Sequence, residues 1–212
     1  MISCPITLTA INQACGSNMG GLKKVCIGQW GLATYEFDYQ IVDTKTQEEY
    51  TSLTADEQAK YELVGESYVQ YAKDGDGEKI KSAIKSATLE GSEKMKEYVF
   101  REQNASLTQT LQANDNGTNF WEQSINLTFA KSESIKRLAI MSLMQGATQA
   151  VVVDNNNKMW MVGLERPLRL SSAENTTGTA FTDDNQYVIT LSCTDRILAL
   201  PINEEVYNTL VE

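Results

Sequence analysis

Histidine is absent from all 212 residues of the chain. That absence removes the commonest general base near neutral pH and the commonest ligand for transition metals. Ser-His-Asp and Cys-His catalysis are excluded, as are zinc sites built on histidine. Carboxylates, lysine and tyrosine remain available for catalysis, but no spacing singles out a carboxylate pair. No apolar run reaches the length that spans a bilayer. The opening MISCPITLTAINQACG has neither the basic region nor the sustained apolar region of a secretory signal. These features predict a protein made and kept in a cytoplasm. Gly16, Gly20 and Gly21 fit neither G-x-G-x-x-G nor G-x-x-x-x-G-K-[ST], and Lys23-Lys24 is too small a patch to suggest a nucleotide site.

Cysteine is scarce. Cys4, Cys15 and Cys26 stand eleven apart and Cys193 lies far beyond them. This spacing is unlike the short Cys hooks of zinc modules, and reduced, partly buried thiols are expected. Cationic charge is also in short supply, with 18 Lys and Arg against 28 Asp and Glu for a net charge of −10. General affinity for nucleic acid or an anionic membrane is therefore disfavoured. An acidic surface is still compatible with a passage through which DNA slides without sticking.

The 42% hydrophobic content suffices for one substantial core. Leu22 to Ile27 and residues 35–44 read as strands. From about Gln47 to Glu93 the chain turns polar and Lys/Glu-rich, with one helix expected from Thr54 or Asp56 to about Leu63 and another around Glu78 to Ala87. Strand signals return at Lys94, with Met95, Tyr98 and Phe100 in an extended pattern. Residues 105–130 read as a hairpin about Asn116-Gly117. One helix follows Ser132, with Ile135, Leu138, Ala139 and Met141 to Leu143 toward a core and Gly146 as its stop. AVVVD, KMWMVGLE, LRLSS and NQYVITLSC are further strand candidates, and PINEEVYNTLVE is a short helix or a docking arm. The inventory is β-dominant and of the α+β class. It favours an antiparallel β-sandwich or barrel with one packed helix. Residues 1–46 and 94–212 form the core, and 47–93 a largely helical insertion.

Two acidic stretches invite a metal reading. With Asp154 at position one of an EF-hand loop, Asn156 falls at three and Glu165 at twelve, but Lys158 takes position five and Met159 the position that requires glycine. Consecutive Asn and Asp residues also tolerate the left-handed backbone of tight turns, so a hairpin turn is expected there. Asp74-Gly-Asp-Gly-Glu78 has Lys79 and Lys85 where a calcium loop needs glycine and glutamate, and it reads as a solvated loop. No catalytic, cofactor or metal residue is assigned, and no enzyme activity is expected. Trp121 and Trp160 sit in strand patterns and read as core or interface residues.

The order of these pieces carries a resemblance. GGLKKVCIGQW precedes ASLTQTLQANDNGTNFWEQSINLTF, then come a helix, AVVVDNNNKMWMVGLE and TTGTAFTDDNQYVITLSC. The series is similar to tail-tube-like virion proteins of tailed bacteriophages, particularly the crAss-like and related Bacteroidetes-infecting groups. It covers about the first thirty residues and Lys94 to about Asp195. The resemblance implies a protomer of the phage tail-tube type that assembles into a cyclic ring, a hexamer or dodecamer, in the tail or head–tail connector. Its partners would be itself, adjacent tail or portal-complex proteins, and phage DNA passing through the channel without specific contacts. Residues 47–93 depart from the family's compact pattern, leaving a stacked tube and a single connector ring both open. The alternatives are a capsid decoration or head-fibre protein, and a carbohydrate-binding β-sandwich using Trp121 and Trp160.

Overall fold

The computed structural model describes residues 19–74, 77–100, 103–115, 119–180 and 182–212. In chain order these form β1 (Leu22–Gln29), β2 (Ala33–Tyr39), β3 (Ile41–Lys45), α1 (Gln47–Thr51), α2 (Ala55–Gln58), β4 (Glu62–Val64), β5 (Ser67–Tyr71), β6 (Lys81–Leu89) and β7 (Lys96–Glu97). There follow β8 (Ala105–Ala113), β9 (Asn119–Ala130), α3 (Ser134–Gln145), β10 (Thr148–Asp154), β11 (Met159–Val162), β12 (Arg169–Thr176), β13 (Gln186–Asp195), β14 (Leu200–Pro201) and α4 (Glu204–Leu210). The described residues divide into two compact units, those within 37–83, and 19–36 with those within 84–212. The division falls within β2 and β6, which pair with each other as a two-stranded sheet.

The larger unit is built on two antiparallel sheets, in strand orders β14-β11-β10-β1-β7 and β12-β13-β9-β8. Neither closes into a barrel. Their facing sides share one core, containing Val25 and Ile27 of β1, Ala150 and Val152 of β10, Ile125 and Leu127 of β9, and Ile189 and Leu191 of β13. Alternation explains β9 and β13, where every second residue from Gln123 to Phe129 and from Ile189 to Asp195 is buried. β10 differs because both of its faces are covered, and its first six residues, Thr148 to Val153, are all buried. Such a strand reads as a continuous β-branched run instead of an alternating one. Across the other face of that sheet α4 brings Tyr207 Oη to 3.7 Å from Cys26 Sγ. Asn203 caps α4, its Oδ1 accepting from Val206 N at 2.8 Å.

The expected hairpin of 105–130 is present as β8 paired with β9, Ala105 opposite Leu127 through Ala113 opposite Asn119. Its turn at Asn116-Gly117 lies outside the described residues. The strands expected at Leu22, AVVVD, KMWMV, LRLSS and NQYVITLSC are present, and the C-terminal tail is helical. The stretch 35–44 is two strands, β2 and β3, in different sheets. Helix α3 forms where expected but faces otherwise. Ile140 and Leu143 are its buried residues, whereas Ile135, Leu138 and Met141 are open to solvent.

The smaller unit corrects the largely helical reading of 47–93. Its helices are single turns, each held by a capping box, Thr46 with Glu49 and Thr54 with Glu57. The helix expected to reach Leu63 stops at Gln58, and Glu62–Val64 instead pairs with β5 through a turn at Gly65, whose φ is +62°. Around Glu78 to Ala87 the helix reading fails altogether, because Lys81–Leu89 is strand β6. Ile80, Ile84 and Ala87 mimic helical spacing, yet the stretch is rich in Ser, Thr and Ile, which pair well in extended form. Val69 is the one buried hydrophobic residue among the described residues of this unit. Tyrosines take over the packing, with Tyr50 stacked on Tyr68 at 3.7 Å between ring centroids and Lys79 Nζ 4.3 Å from the Tyr71 ring centroid.

Candidate functional site

The Asp154 loop is a turn that does structural work. Asp154 Oδ1 accepts from the backbone N–H of Asn156 and of Lys158, each at 2.8 Å. Asn157 takes the left-handed conformation, φ +59°, which asparagine tolerates better than most residues. The asparagine side chains then fasten the start of β1. Asn156 accepts from Met19 N and donates to Met19 O, both at 3.1 Å. Asn155 Nδ2 donates to Gly20 O at 2.6 Å, and Lys23 Nζ donates to Asn157 Oδ1 at 3.0 Å. The amide oxygens that resemble calcium ligands are thus engaged with backbone and lysine. Replacing Asp154 by alanine is expected to cost about 1–2 kcal/mol, the scale of two lost carboxylate–amide bonds at a half-exposed site. Millimolar calcium is expected to leave the melting temperature of the parent unchanged, and thermal unfolding with and without the ion checks both.

The second acidic stretch also closes on itself. Asp74 N donates to Glu78 O at 2.9 Å, and Glu78 N donates to Asp74 Oδ1 at 2.8 Å. Gly75 and Asp76 lie outside the described residues. Among the described residues no group of three or more His, Cys, Asp or Glu is placed to hold a metal ion. Cys26 and Cys193 are buried free thiols, and Cys4 and Cys15 lie outside the described residues. Burial pushes the Cys193 thiol up to about 12 and raises Cys26 as well. Thiols held neutral in this way are poor nucleophiles and poor metal ligands.

Among the described residues Asp195 is the most deeply placed carboxylate, 2% exposed at the end of β13. It accepts from Arg196 N at 2.7 Å and Glu165 N at 3.3 Å, tying the turn before β12 to the sheet. Burial raises its carboxyl above the usual aspartate range. A raised folded-state value makes protonation favour the fold. Its contribution is therefore fully present below the ordinary aspartate pKa and is lost as pH rises through the folded value. Urea unfolding across that window is expected to show this loss, and Asp195→Asn to flatten it.

The distinctive surface of the larger unit is the side of β12-β13-β9-β8 turned away from the core. Register places Thr108, Ser124, Ser192 and Arg169 in one row and Ser106, Asn126, Thr190 and Ser172 in the next. These side chains are exposed or half-exposed, and Thr190 Oγ1 donates to Asn126 Oδ1 at 2.8 Å. Glu122 on β9 and Glu174 on β12 share the face. Hydroxyls and amides dominate the face, with Phe120, Val188 and Ala130 among them and Arg169 as its sole cation among the described strand residues. It offers no Lys/Arg array to neutralise phosphates.

The same sheet ends on two long open edges. β8 has nine residues and β12 eight, and among the described residues no strand pairs with the outer side of either. Soluble proteins usually blunt such edges with charge, proline or bulges. β12 has a register shift between Leu170 and Ser172 and carries Arg169 and Glu174. β8, with the sequence ASLTQTLQA, has no charge, no proline and no break in register.

Trp121 and Trp160 do not make a ligand platform. Both are half-buried on core-facing sides of different sheets, Trp121 opposite Asp195 and Trp160 opposite Val152. What sequence reading missed was the pair of edges, since strand order depends on which distant strand lies beside which. A signal does exist: β8 and β12 lack valine and isoleucine, whereas the central β13 carries both and β9 carries isoleucine. Comparison with known protein families, with curated proteins and with solved structures finds no match.

Proposed function

We propose that this chain is a structural, non-enzymatic virion protein of a tailed bacteriophage that assembles with copies of itself into a ring of the tail tube or head–tail connector. The observation that carries the reading is the unprotected edge of β8, opposite a second open edge on β12. A strand edge without charge or proline invites pairing with another chain. Two different edges on one sheet suit head-to-tail contacts, which generate a closed ring when the rotation between neighbours closes. The ordered motifs that resemble tail-tube-like proteins support the same conclusion, as does the lack of histidine.

The hydroxyl and amide face suits the wall of a channel for genome passage. Its scarcity of cations, within a chain of net charge −10, leaves DNA without a strong hold. The unit of residues 37–83 exposes Ile41, Val42, Leu63 and Val64 on the two outer strands of its small sheet. That surface suits contact with an adjacent ring or connector protein. Electron microscopy of the purified chain over rising concentration tests the reading. Closed rings of uniform diameter are expected, and a monomer at every concentration excludes self-assembly.

A further inference from the structure

The smaller unit, within residues 37–83, has little core to hold it together. Units of this size bury too little apolar surface to rely on a core alone, and disulfides or a structural metal commonly staple them. Val69 is its one buried hydrophobic residue among those described. Residues 37–83 contain no cysteine. Among the described residues no group is placed to hold a metal ion. What the unit does have is tyrosine: Tyr39, Tyr50, Tyr61, Tyr68 and Tyr71 are five of the chain's nine.

The contacts between these rings differ in geometry. Tyr39 meets Tyr71, and Tyr50 meets Tyr61, edge to face with centroids 6.0 and 6.3 Å apart. That arrangement is one aromatic side chains ordinarily prefer, at separations of about 4.5–7 Å. Tyr50 and Tyr68 depart from it, lying nearly parallel at 8° with centroids only 3.7 Å apart. Their carbon faces are in direct contact. Both rings are half-exposed, within reach of a dissolved reagent. Tyr50 belongs to α1 and Tyr68 to β5, so the contact brackets α2 and β4. Beside the stack, Tyr68 Oη donates to Gln47 Oε1 at 2.9 Å, which ties β5 to the first residue of α1.

We propose that Tyr50 and Tyr68 are a cross-linking site, at which a peroxide-driven one-electron oxidant joins α1 to β5 through a dityrosine bond. Each phenol gives up one electron and one proton. One hydrogen peroxide takes up both electrons and both protons and leaves as two waters. The two phenoxyl radicals couple through ring carbons ortho to their oxygens, and the hydrogens on those carbons move to oxygen to restore both hydroxyls. The product lacks two hydrogen atoms overall. Such a bond closes the chain from 50 to 68 and restricts the unfolded unit as a disulfide would. It acts within one chain and does not depend on ring formation.

Treatment of the dilute full-length protein with a haem peroxidase and hydrogen peroxide tests the site. Dityrosine fluorescence, a whole-chain mass lower by two hydrogen atoms, and a linked peptide pair carrying Tyr50 and Tyr68 are expected. Tyr68→Phe keeps the ring but has no phenol to oxidise. It is expected to abolish the link, with the fold verified by far-UV circular dichroism. In the linked parent, hydrogen exchange at the β4 and β5 amides is expected to slow at least about tenfold, because the unit opens less often. No link within the chain, or one formed as readily between Tyr39 and Tyr71, overturns the site. Exchange that the link leaves unchanged overturns its role as a staple.

Discussion

Replacing both Thr108 and Thr110 with lysine is expected to give a folded protein that no longer assembles. Both residues lie on the exposed face of β8, opposite Ser124 and Glu122 of β9. Lysine at position 110 meets a carboxylate across the strand pair, so the protomer's own sheet is not penalised by like charge. An incoming strand meets two cations on an edge that had none, which is how natural sheets discourage pairing. Self-association is expected to weaken at least about a hundredfold, equivalent to about 3 kcal/mol per contact. Sedimentation velocity reads the loss, and far-UV circular dichroism reads retention of the fold. If the lysine variant assembles with the parent's concentration dependence, β8 is not the pairing edge.

The second large effect separates the two sides of α3. Leu143 is 5% exposed within the core, and its replacement by alanine is expected to cost about 2–5 kcal/mol through lost burial and a residual cavity. Leu138 is 62% exposed, and its replacement by serine is expected to change protomer stability by no more than about 0.5 kcal/mol. Urea unfolding on the double-lysine background makes this comparison without interference from assembly. Equal costs for the two substitutions would mean that Leu138 is covered within a single chain.

That contrast also shows where sequence reading stops. The helix itself was legible from the apolar repeat after Ser132 and from Gly146, but Ile135, Leu138, Ala139, Ile140, Met141 and Leu143 surround the helix axis. Periodicity alone could not choose a buried side, and the strands against which α3 packs made the choice. The hairpin of β8 and β9 was legible because its partners are close in sequence and the alternation of Ile125, Leu127 and Phe129 is clean. β6 was not, because Ile80, Ile84 and Ala87 fit one helical face, whereas in a strand Ala87 points away from the other two. Its conformation is fixed by pairing with β2, about fifty residues earlier. The turn at 154–157 was legible from its asparagines and from Lys158 and Met159, which do not fit a calcium loop. Their task of fastening Met19 and Gly20 could not be read, since those contacts span more than 130 positions.

The chain is proposed to form a closed ring through the edges of its four-stranded sheet. Electron cryomicroscopy of the assembled full-length protein, at a resolution that separates strands, tests it most directly. The expected map is a ring in which β8 of one copy lies beside β12 of the next, with the hydroxyl and amide face toward the channel. Discrete monomers, or an assembly whose contacts leave both edges open, would contradict it.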